Sequence, residues 1–80
     1  MSEQIAMTHD QLAELIVKDV RRHAHCEGFK SISLHKLVEG EIPGTNWSPG
    51  TANYGEAGPH ACDAALREVI PRMQRQYRLT

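Results

Sequence analysis

Side chains able to bind a metal or share a proton gather at two places in this sequence. His23, His25 and Cys26 lie within Arg-Arg-His-Ala-His-Cys-Glu-Gly, and His60 and Cys62 lie within Gly-Pro-His-Ala-Cys-Asp. Thiolate and imidazole are ligands of tetrahedral zinc, so His23, Cys26, His60 and Cys62 form one candidate quartet. On a helix, His23 and Cys26 stand about 60° apart around the axis, while His25 points toward the polar side. Cys62 can approach them if its own helix packs alongside. Neither pair has the spacing of the tight chelating loops that mark strong zinc motifs. The simpler assignment makes Cys26 and Cys62 small buried hydrophobes, a common fate of free thiols, with no metal and no cofactor bound.

His23 carries a second suggestion. Asp19 lies one helical turn before it, where a carboxylate would orient the imidazole as half of a catalytic dyad. No activated Ser or Cys completes it, and a polar pair at a helix end is the plainer account. Further on, Arg67, Arg72, Arg75 and Arg78 fall between about 140° and 280° around one helix, opposite its apolar stripe. Such a face suits phosphate backbones or an acidic partner. It has no interleaved aromatics, and a charged helix face is commonly just solvated. Trp47 and Tyr54 sit among Asn, Thr, Ser and Gly, the composition of adaptable binding loops. In so small a core Trp47 is expected as the main plug, with Tyr54 on the surface. A Gly-rich phosphate loop and paired carboxylates at acid–base spacing are both missing, so no catalytic residue is assigned.

These residues need elements to hold them. Residues 1–7 show no clear period and read as a frayed start. Thr8 followed by Gln11 has capping-box spacing, and Leu12, Leu15, Ile16, Val20 and Ala24 then recur at three and four, which predicts a helix over 9–27 stopped by Gly28. In 30–38, Ile32, Leu34 and Val38 alternate with Ser31, Ser33 and His35, the period of a strand. A rival reading starts a short helix at Ser33, which would make the chain all-α with three helices. Residues 40–59 hold five of the six glycines and three of the four prolines, a loop region with turns at Pro43-Gly44 and Pro49-Gly50. Between those turns, 45–48 has room for a return strand. A last helix over 60–78 buries Cys62, Ala65, Leu66, Val69, Met73 and Tyr77. Pro71 kinks it, but at about 180° from the stripe's centre it faces solvent.

The 80 residues allow one domain, 1–80, with a small core. A net charge of −1 argues against bulk attraction to nucleic acid or anionic membranes, and 40% hydrophobic residues are too many for a disordered chain. No apolar run approaches the ~20 residues of a membrane span, and the start lacks the pattern of a signal peptide, so a cytoplasmic location is expected. Cys26 with Phe29, the Asn46-Trp47 pair, and a closing helix carrying Gln74 or Gln76, Tyr77 and Leu79 give the chain a likeness. It resembles a group of small uncharacterised bacterial proteins of about this length. The resemblance implies an order of helix, two strands, helix, and carries no activity and no site residue. The expected fold is therefore α+β, with two helices on one face of a two-stranded antiparallel ribbon. The expected function is a non-enzymatic protein-interaction module. Its uncovered ribbon edge invites a second copy, so a homodimer is the first partner expected. The alternatives are nucleic-acid binding through the four arginines and metal binding through the His/Cys quartet.

Overall fold

The computed structural model describes residues 4–38 and 44–80. Residues 1–3 of the expected frayed start, and the stretch from Gly40 to Pro43 within the expected loop, lie outside them. The elements run β1 (Ile5–Met7), α1 (His9–Arg21), β2 (Ser31–Lys36), β3 (Trp47–Asn53), α2 (Pro59–Gln76) and β4 (Tyr77–Leu79). The fold is α+β, and the strand reading of 30–38 holds over the three-helix alternative. No helix among the described residues is long and apolar enough to cross a membrane.

α1 begins as its sequence dictates. The Thr8 hydroxyl accepts the Gln11 N–H at 3.2 Å, and the Gln11 side-chain oxygen accepts the Thr8 N–H at 3.2 Å. Its end is a correction: the helix stops at Arg21, six residues before the expected boundary at 27. Short-range bonds then carry the chain onward, from the His23 N–H to the Val20 carbonyl, Cys26 to His23, and Phe29 to Cys26. His25 takes φ 68°, a left-handed value that no continuing helix allows. The Arg21 Nε–H donates to the Phe29 carbonyl at 2.7 Å and closes this detour. Gly28 is needed for a different reason than helix termination. A Cβ there would stand 3.1 Å from the Ala57 nitrogen, because two loops touch at that point.

β2 and β3 pair antiparallel, with Ile32 opposite Ala52, Leu34 opposite Pro49 and a bulge between. β3 is longer than the expected 45–48 and runs straight through Pro49-Gly50, so that dipeptide is not a turn. Proline is tolerated there because β3 is an edge strand of a two-stranded ribbon; the N–H of the facing Leu34 also points away from the ribbon, to His9 Nε2 at 3.1 Å. Gly50 lies against two side-chain ends: a Cβ there would meet Ser33 Oγ at 2.8 Å and His35 Nε2 at 2.9 Å, so those side chains would have to shift.

α2 is unbroken from Pro59 to Gln76, with Pro71 exposed as the phase of the stripe demands. It ends two residues before the expected 78. Tyr77 turns extended, and β4 pairs in parallel with β1, Ile5 opposite Tyr77 and Met7 opposite Leu79. Ile5–Met7 of the supposedly frayed start thus form a strand. α1 and α2 pack against each other and against β2 and β3, burying Leu12, Ile16 and Val20 with Ile32, Leu34, Val69 and Met73. Trp47 is fully buried at the centre of this core. Ala24, expected on the apolar face, is exposed beyond the helix end, and Val17 takes a core place instead.

Candidate functional site

The side of the molecule where β3 runs beside α2 is hollow. An open groove of about 530 Å³ has Ile32, Ala52, Leu66 and Ile70 along its apolar surface, with Pro49 and Pro71 beside them. Its polar groups come from one end of the ribbon and one turn of α2: Tyr54, Asp63 and Arg67. Tyr54, expected on the surface, is half-buried, its ring edge-on to Phe29 at 5.9 Å between centroids. Its hydroxyl donates to Asp63 Oδ1 at 2.5 Å. That hydrogen bond, helped by burial and by the Asp63 charge, holds the Tyr54 phenol above its ordinary pKa of 10.0. Arg67 makes no ion pair among the described residues, and it lines the groove together with Asp63, one helical turn before it.

The four expected arginines do not form one continuous face. Arg72 is ion-paired with Asp19 across the α1–α2 junction, and Arg78 belongs to β4 because α2 has already ended. Arg67 lines the groove, and Arg75 is exposed in the last turn of α2. A second cavity of about 490 Å³ lies between the helices, where Lys18, Arg22 and Arg72 surround the mostly buried Asp19. Arg22 approaches the same carboxylate at 3.8 Å. The suggested Asp19–His23 pair does not form. His23 lies beyond the helix end and turns toward Glu68, at 3.9 Å.

The metal quartet also separates. Cys26 and Cys62 are both fully buried in the core, whereas His23 faces Glu68 and His60 is exposed. Among the described residues, no group of three or more His, Cys, Asp or Glu side chains is arranged to hold a metal ion. His25 and His60 line a third open cavity with Glu27 and Glu56, beside the point where the two loops touch.

Asn46, Trp47, Gln74, Tyr77 and Leu79 form one hydrogen-bonded cluster, with Gln74 rather than Gln76 as the glutamine. The Asn46 side chain copies a neighbouring strand: its Nδ2–H donates to the Leu79 carbonyl at 2.7 Å, and its Oδ1 accepts the Leu79 N–H at 2.8 Å. Trp47 Nε1–H donates to the Tyr77 carbonyl at 3.0 Å, and Gln74 Nε2–H donates to the Trp47 carbonyl at 2.8 Å. Gln4 adds a bond from its side chain to the Gln74 carbonyl at 2.7 Å. These residues fasten β4 to the start of β3.

Edge pairing meets two obstacles in the ribbon. The Leu34 N–H on β2 is capped by His9, and β3 carries Pro49, which has no N–H to offer. Because Leu34 donates to Nε2, that ring nitrogen is unprotonated, and Nδ1–H of a neutral His9 donates to Asp10 at 3.1 Å. The groove itself was not visible in the sequence. Tyr54 and Asp63 are nine residues apart on a loop and a helix, and no local pattern links them. No protein-family model matches the chain, and neither does any curated protein or solved structure.

Proposed function

We propose that this chain is a small non-enzymatic interaction module, and that the groove between β3 and α2 is the surface with which it holds a protein partner. One observation carries the reading: the unpaired guanidinium of Arg67 beside the aliphatic row of Ile32, Ala52, Leu66 and Ile70. The partner that fits is an extended acidic segment, presenting an aliphatic side chain next to a carboxylate. The carboxylate would take Arg67 in a two-pronged pair, the geometry that favours arginine at such places. An exposed ion pair contributes only about 0–1 kcal/mol, whereas burying one Leu-sized side chain contributes about 1.5–3 kcal/mol. Affinity then comes from the apolar floor and selectivity from Arg67. With one or two side chains seated, binding is weak and reversible, on the order of 0.1–1 mM. A partner is favoured over a second copy because the His9 cap and Pro49 oppose ribbon-to-ribbon pairing.

The test is an amide-shift titration with two synthetic peptides sharing a Leu-Ile centre, one flanked by glutamates and the other by lysines. The glutamate peptide should perturb residues 50–54 and 63–70, and Leu66→Asp should remove the response. Absence of shifts at millimolar peptide, or shifts centred elsewhere, overturns the reading. Sedimentation showing a dimer that covers the groove would replace the partner with a second copy.

The α1–α2 cavity supports a second reading, a site for nucleic-acid phosphate built from Lys18, Arg22 and Arg72. It ranks second because Asp19 already occupies Arg72, and a phosphate would have to displace that carboxylate. A gel shift whose affinity falls steeply with salt would support it.

A further inference from the structure

We propose that Cys26 and Cys62 are a redox-convertible pair, closing a disulfide that locks the α1–β2 connection onto the first turn of α2. Both thiols are fully buried in the same core cluster, near enough that Cys26 bears on the ionisation of Cys62. The backbone brings them together by its own contacts: the Gly58 N–H donates to the His25 carbonyl at 3.2 Å, and the Cys62 N–H donates to the Gly58 carbonyl at 3.0 Å. The approach of the two loops depends on Gly28 and Gly55. A Cβ on Gly55 would stand 2.5 Å from the Gly28 carbonyl oxygen. A disulfide needs its sulfurs about 2.05 Å apart, so the thiols must close up further. The Cys26 side can supply that movement, because it lies in an irregular connection while Cys62 is fixed in a helix.

Access comes from the same place. The residues flanking both thiols, His25 and Glu27 on one side and Ala61 on the other, line a single open cavity of about 580 Å³. A small outward shift of that loop exposes the pair to a hydroperoxide, the class of oxidant the step requires. Burial and the neighbouring Cys26 push the Cys62 thiol up to about 11. Cys26 makes the first attack because the irregular connection that carries it moves outward and gives its thiol to water, while Cys62 stays held in α2. The Cys26 thiolate attacks one peroxide oxygen, the O–O bond breaks, and hydroxide leaves a sulfenic acid on Cys26. The Cys62 sulfur then attacks the Cys26 sulfur, and its proton leaves with the sulfenic hydroxyl as water. Two thiols lose two electrons, and one peroxide is reduced.

The full reduced chain is treated with hydrogen peroxide under native conditions and compared with the untreated chain by intact mass, peptide mapping and thermal melting. The expected product is a monomer lighter by two hydrogens, with Cys26 linked to Cys62, and a melting temperature higher by roughly 10–20 °C. A thiol reductant should reverse both changes. Thiols that stay free in the folded chain, that link different chains or that stop at higher sulfur oxides overturn the proposal. So does an internal disulfide that leaves the melting temperature unchanged or lowers it. No variant is needed, so a folding failure cannot obscure the result.

Discussion

Replacing Asn46 by alanine should loosen the C-terminal strand more than any other polar truncation outside the core. The Asn46 side chain satisfies both the N–H and the C=O of Leu79, at 2.8 and 2.7 Å, and the site is partly buried. Removing the amide strands a donor and an acceptor. A backbone group left unsatisfied costs about 1–3 kcal/mol when buried, and water reaches this one in part. The expected loss is therefore about 2 kcal/mol, equivalent to a fall in melting temperature of roughly 10 °C for a domain of this size. Asn46→Asp separates the two bonds. Its carboxylate still accepts the Leu79 N–H but turns an anion toward the Leu79 carbonyl, so it should be no better than alanine. Urea titration gives the global loss, and amide exchange at Leu79 and Thr80 shows whether β4 opens before the core does. An Asn46→Ala chain within 0.5 kcal/mol of wild type, with Leu79 exchange unchanged, would refute this reasoning (the 0.5 being about the scatter of surface substitutions).

Three further outcomes follow from the same contacts. Trp47→Phe keeps an aromatic ring but strands the Tyr77 carbonyl and leaves a void, and should cost about 2–4 kcal/mol by chemical denaturation. His9→Ala removes the acceptor of the Leu34 N–H, which points away from β3, and should cost about 1–2 kcal/mol while raising amide exchange at Leu34 above its neighbours. Tyr54 should ionise above the usual tyrosine range, and Asp63→Asn should bring its absorbance titration back toward pH 10.0. The sign for stability follows: the folded chain holds the Tyr54 proton more tightly than the unfolded one. The stabilisation from the Tyr54–Asp63 bond is thus complete below the ordinary tyrosine pKa of 10.0 and is lost as pH rises from there through the raised value of the folded chain.

What the sequence made legible is whatever depends on near neighbours. The Thr8–Gln11 box, the centres of the two apolar stripes (Leu12, Ile16 and Val20; Cys62, Ala65, Val69 and Met73) and the solvent-facing Pro71 rest on offsets of three or four residues, and these are found in place. The boundaries that fail are those set by distant contacts. The helix ends at Arg21 because the 22–30 segment must bend back to meet residues 54–58, with His25 left-handed and Gly28 against Ala57. Ile5 and Tyr77 pair across almost the whole chain, and three-residue strands carry too little pattern to be seen alone. Pro49-Gly50 has the composition of a turn, yet β3 passes through it because an edge strand needs no N–H from Pro49 for its ladder. The Asn-Trp and Gln/Tyr/Leu residues were visible as a set, and their shared role is to bind strand ends. The groove was not visible, because its cation, its phenol and its aliphatic floor come from β2, β3, α2 and the loop between the last two.

The most direct test of the interaction reading is a charge swap at the rim of the groove, with the folded state checked by its amide spectrum. Wild type should bind the glutamate-flanked peptide in preference to the lysine-flanked one, and Arg67→Glu should reverse that order while Leu66 and Ile70 still respond. An unchanged preference in the folded variant would contradict the assignment of Arg67, and with it the groove as the surface this chain uses.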